Sequence, residues 1–92
     1  MRTFSRTSQF KKDIKLAGKR GKDLAKLKAV LDLLIASDEL PAAYLDHPLR
    51  GNFAGSRDCH IEPDWLLIYR IIDDPGELIL GRAGTHADLF GT

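Results

Sequence analysis

A chain of 92 residues makes one domain, and at this size a compact fold buries roughly two-thirds of the surface its unfolded form exposes. With 43% hydrophobic and 29% charged residues the composition is that of an ordinary globular protein. Cys59 is the one cysteine, which excludes an intrachain disulfide and suits a reducing, cytoplasmic setting. No apolar run approaches the ~20 residues of a membrane helix, and the first residues, MRTFSRTSQF, lack the apolar core of an export signal. The expectation is a cytoplasmic protein without a membrane partner.

The net charge of +1 conceals an asymmetry: residues 1–28 hold ten Lys/Arg against two Asp, and residues 29–92 hold four Arg against eleven Asp/Glu. Such a basic segment forms either the solvated faces of helices or a surface that prefers a polyanion.

In chain order, Arg2 to Arg6 has the length of a short strand. Thr7 or Ser8 can cap a helix in which Phe10, Ile14 and Ala17 form an apolar stripe, with Lys11, Lys12, Lys15 and Lys19 mostly off it. Gly18 and Gly21 mark its end. A second helix carries Leu24, Leu27, Val30, Leu31, Leu34 and Ile35 inward and Lys22, Lys26 and Lys28 outward. From Ser37 to Gly55 the prolines and glycines predict a connecting segment, long enough to hint at function. Strands are expected at Ser56–Glu62, Trp65–Ile72 and Glu77–Ala83, joined by Pro63-Asp64 and by Asp73-Asp74-Pro75-Gly76. Turns this short make the three an antiparallel meander. The fold class is therefore α+β: strand–helix–helix–three antiparallel strands in a single domain over 1–92, a four-stranded sheet with both helices on one face.

Alternation along RDCHIEPDW turns Cys59 and Ile61 toward the helices and sends Asp58, His60 and Glu62 to the other face, where no predicted helix remains to cover them. Three histidines, His47, His60 and His86, lie at strand ends or beside Asp and Gly rather than within apolar stripes. Imidazole is the side chain best poised to pass protons near neutral pH. Cleavage of RNA by its own 2′-hydroxyl needs a base, an acid and a cation for the developing phosphate charge. His47, His60, His86 and Asp64 supply bases and acids, Arg82 and Arg57 the cation, and Trp65 and Phe90 flat surfaces for an unstacked base. The blander alternatives stay open: surface histidines, a core tryptophan, an Arg57–Asp58 ion pair. A divalent metal site is weighed against, since no pair has a tight spacing such as H-x-x-x-H.

The combination DHPLRG, RDCHIEPDWLLIYR and GRAGTHADLFG, with FKKDIKLAGKRGKDLAKLK before it, resembles the YafQ branch of the RelE/ParE toxin superfamily along nearly the whole chain. The resemblance implies a small RelE-like domain and the toxin half of a type II toxin–antitoxin pair. It implies an mRNA interferase, a metal-independent and cofactor-free endoribonuclease that cuts messenger in the A site of the 70S ribosome. Carried over residue by residue, the catalytic group falls on His47, His60, Asp64, His86 and Arg82, with Asp58 supporting His60 and with Trp65, Phe90 and Arg57 on the RNA. Lys11, Lys12, Lys15, Lys19, Lys22 and Lys26 are expected against ribosomal RNA backbone. The partner implied is a DinJ/RelB-like antitoxin, in a heterotetramer. Two rivals are a ParE-like gyrase inhibitor of the same fold and a non-catalytic RNA-binding module.

Overall fold

Thr7 closes the first strand and opens the first helix: its side chain accepts from Phe10 N at 3.0 Å, while its own hydroxyl donates to Gly81 O at 2.8 Å. That one residue ties the helix start to the strand that neighbours it in the sheet, Glu77–Gly84. The computed structural model describes residues 1–91. It runs β1 (Thr3–Arg6), α1 (Ser8–Lys19), α2 (Leu24–Ile35), a 3-10 turn (Ala42–Tyr44), β2 (His47–Pro48) and a second 3-10 turn (Gly51–Phe53). After these come β3 (Arg57–Glu62), β4 (Trp65–Ile72), β5 (Glu77–Gly84) and α3 (His86–Phe90).

The helices, the turn between them and the three-strand meander stand where the sequence places them. The α+β class holds. The sheet has five strands instead of four, in the order β1-β5-β4-β3-β2, with β1 parallel to β5 and the other pairs antiparallel. The added strand is His47–Pro48 within the expected loop, paired through His47↔Asp58 and Pro48↔Arg57.

The main core lies between the helices and one face of the sheet. Phe10 and Ala17 come from α1, Leu27, Val30 and Leu34 from α2, and Cys59, Leu67, Tyr69, Leu78 and Leu80 rise from the strands to meet them. Leu24, expected on the inner stripe, stays exposed at the start of α2. No described helix is long and apolar enough to cross a membrane.

The opposite face is not bare, as the strand alternation suggested. Leu66 and Ile68 are covered there by Leu89 of α3 and by Leu49 and Phe53. The helix α3 is short, and it holds because Thr85 and Asp88 form a reciprocal capping box, Asp88 N donating to Thr85 Oγ1 at 3.1 Å and Thr85 N to Asp88 Oδ2 at 3.0 Å. Gly84 permits it: a Cβ there would stand 2.9 Å from Asp88 Cβ.

Candidate active site

Sheet register places the titratable residues. Across four strands, His47 faces Asp58, Asp58 faces Ile68 and Ile68 faces Arg82. Directly opposed residues share a face, so His47, Asp58 and Arg82 stand in one row with apolar Ile68 between them. The next row pairs His60 with Leu66 and Leu66 with Gly84. His86 follows Gly84 at the first turn of α3 and leans back over the same face. The three imidazoles meet: ring centroids are 5.5 Å apart for His60 and His86 and 6.5 Å for His47 and His60. Phe90 continues the series 6.5 Å beyond His86 and meets Phe53 edge-on at 5.7 Å.

Each outer histidine has its Nδ1 committed. His86 Nδ1 lies 2.6 Å from Asp64 Oδ1, and His86 N donates to the same oxygen at 2.9 Å. His47 Nδ1 lies 2.7 Å from Leu45 O, an acceptor only, so this nitrogen carries the proton. Among the described residues neither ring has a hydrogen bond at Nε2, which leaves that nitrogen open for chemistry. The hydrogen bonds from the His86 backbone and ring hold the Asp64 carboxyl below its ordinary range.

Asp58 lies beneath the cluster with a side chain only 3% exposed. Its Oδ1 is 3.1 Å from His47 Nδ1, but that N–H points at Leu45 O, and among the described residues the oxygen has no directed hydrogen bond. Burial pushes this carboxyl upward, and the adjacent His47, His60 and His86 pull it back down. Asp58 was expected to orient His60; its nearest imidazole nitrogen belongs to His47.

Arg82 stands in the same register row on β5, and its guanidinium is held by Asp13 of α1. Nε donates to Asp13 Oδ2 at 2.9 Å and Nη2 to Asp13 Oδ1 at 3.3 Å, while Ala83 N also donates to Asp13 Oδ2 at 3.0 Å. Nη1 carries two further N–H donors. Asp13 was missed by the sequence reading, yet a signal was there: it falls on the Phe10–Ala17 side of α1, where a carboxylate needs a buried cation.

Three expected positions are corrected. Trp65, expected as a stacking surface, is 1% exposed in the main core and presents no open ring face to a base. Arg57 pairs across β4 with Tyr69, on the helix-facing side. There its Nη2 donates to Asp46 Oδ2 at 2.9 Å, and the Tyr69 hydroxyl donates to the same carboxylate. It therefore stands on the wrong face to join the histidines. Glu62 was expected beside Asp58 and His60, but a bulge after His60 returns it to the helix side opposite Trp65. It accepts from Lys22 Nζ and Lys26 Nζ, both at 3.0 Å. Those two lysines are thereby engaged, and Lys22 also lies 5.7 Å over the Trp65 ring, whereas Lys11, Lys12, Lys15 and Lys19 stand exposed along α1.

This helix-backed sheet has known relatives: residues 2–91 match the family described as bacterial toxin of type II toxin-antitoxin system, YafQ. The chain is 54% identical over 86 residues to the mRNA interferase toxin YafQ of Escherichia coli K12, covering 92% of this chain and 91% of that one. It superposes on the crystal structure of YafQ from E. coli BL21(DE3) with a TM-score of 0.92 at 50% identity, over 99% of this chain and 100% of the other. It also matches a chain of the E. coli DinJ-YafQ toxin-antitoxin complex, with a TM-score of 0.89 at 52% identity over 98% of each. The chain belongs to the YafQ family of type II toxins.

Proposed function

We propose that this chain is a messenger-cleaving toxin that works in the ribosomal A site by general acid–base chemistry. The observation that carries the reading is the convergence of three imidazoles, distant in sequence, on one face, with Nε2 free in His86 and His47. One imidazole takes the proton of the 2′-hydroxyl, which attacks the adjacent phosphorus; another returns a proton to the departing 5′-oxygen. At centroid separations of 5.5 and 6.5 Å the rings stand side by side, so a phosphate lies across them and takes hydrogen bonds of about 2.8 Å from their outward nitrogens. Arg82, braced by Asp13, turns its remaining N–H groups toward the charge that builds on the phosphate. Phe90, 38% exposed beside His86, offers a platform for a splayed base.

The exposed lysines of α1 suit the ribosomal RNA backbone. A separate antitoxin of the DinJ/RelB kind, in a heterotetramer, would silence the toxin by covering the histidine face or the lysine face. The cytoplasm, where messenger is translated, is the compartment this activity requires.

Primer extension on a message translated in a purified system tests the reading. Cuts that require ribosomes, persist in chelator and disappear with His86→Ala are expected. Intact message with inhibited DNA supercoiling would replace it with gyrase inhibition, and RNA binding without either effect with a passive module.

A further inference from the structure

Beside the histidines, β3 has an edge that β2 leaves open. The short β2 pairs with Arg57 and Asp58 alone, so among the described residues no strand lies on the outer side of His60–Glu62. The 3-10 turn Ala42–Tyr44 stands off from that edge and leaves a cleft of about 530 Å3. Ala43, Tyr44 and Leu45 form one wall, and His60, Ile61 and Pro63 the other. Its volume falls within the ~300–1,000 Å3 of ligand clefts, ample for one nucleobase.

Leu45 is the telling residue. It is 57% exposed, and its backbone is left-handed at φ 51, which a branched residue adopts only where its surroundings compel it. The same turn aims its carbonyl at His47 Nδ1, 2.7 Å away, and its apolar side chain at the cleft. One strained residue thus sets the proton position of a cluster imidazole and walls the adjoining space. Glu62, the one carboxylate at the cleft, is held by Lys22 and Lys26.

We propose that this cleft receives the unpaired nucleobase next to the cleaved bond and sets the sequence preference of the cut. The proposal rests on the cleavage reading above, because only a strand whose phosphate lies across His60 and its neighbours is led into the cleft His60 borders. Its walls are mostly apolar, so it selects by the size of the ring, purine against pyrimidine, rather than by hydrogen bonds to the base edge.

The test uses the full chain and messages that differ by one nucleotide on either side of the main cut, with cut sites mapped in a purified translation system. Wild-type protein should favour one ring size at one flanking position. Leu45→Ala, at an exposed site that leaves the core intact, should relax that preference about tenfold, as expected when apolar fit is removed. Ala43→Trp, which fills the cleft, should raise KM for the favoured message and leave the pH profile unchanged. The proposal falls if Leu45→Ala slows every message equally, or if the preference is untouched while antitoxin affinity drops, since the cleft is then an antitoxin surface. Wild-type protein that cuts no message would instead remove the cleavage reading itself.

Discussion

One carboxylate oxygen of Asp64 receives both hydrogen bonds that His86 donates to it, from the backbone at 2.9 Å and from ring Nδ1 at 2.6 Å. The pairing joins the turn before β4 to the first residue of α3, fixing where the ring sits and which nitrogen faces outward. Asp64→Asn keeps the shape but removes the charge that favours the N–H at Nδ1. Cleavage by this variant should fall by roughly 10²–10⁴, the usual worth of a positioned acid–base group, and His86→Ala should fall as far. Both exposed side chains should leave the melting temperature within a few degrees. A single-turnover rate on ribosome-bound message, beside a thermal melt, checks both.

Asp13 and Arg82 form the second brace, with Asp13 only 7% exposed. Asp13→Ala removes the acceptor of four N–H groups, from Gln9, from the Ala83 backbone and two from Arg82. It should cost about 2–3 kcal/mol, as for hydrogen bonds to a charged group. Arg82→Lys keeps the charge and loses the fork, so folding should persist while turnover drops. Denaturant unfolding separates the two effects.

Asp58 predicts a pH dependence. Burial raises this carboxyl in the folded state, so its ionised form costs stability above its folded pKa, and the cost vanishes below the unfolded value of about 3.9. Asp58→Asn should therefore gain melting temperature relative to wild type at pH 8 and lose that gain as the pH falls toward about 3.9.

The lysines divide by what they touch. Replacing Lys11, Lys12, Lys15 and Lys19 by Gln should weaken ribosome association and flatten its salt dependence by about one unit of slope for each phosphate left unneutralised, with the fold unchanged. Lys22→Gln should act on stability instead, since that side chain bonds Glu62 and covers Trp65. Sedimentation with ribosomes over a salt series, and a melt, distinguish the groups.

Local pattern was enough for α1, α2 and the three-strand meander because burial of one face imposes a period on each, and Thr7 and Asp23 stand at the two helix caps. The family was legible as well, through motifs carried by side chains rather than by shape. Two elements were not. Strand β2 is two residues long and shows no alternation, and α3 depends on a capping box and on Leu89 finding Leu66 and Ile68. Trp65 could be read as core or platform because an aromatic ring serves either, and only its place against the helices chose core.

By itself the sequence determined which residues alternate, which lie on stripes and which side chains can carry protons, since those follow from period and chemistry along the chain. Tertiary structure decided which of them meet. A single bulge after His60 turned Glu62 away to the helices, and the strand register left Arg57 among them; two hydrogen bonds from His86 to Asp64 drew the last imidazole onto the site. Such outcomes depend on one residue of register and on partners dozens of positions away, which no local pattern encodes.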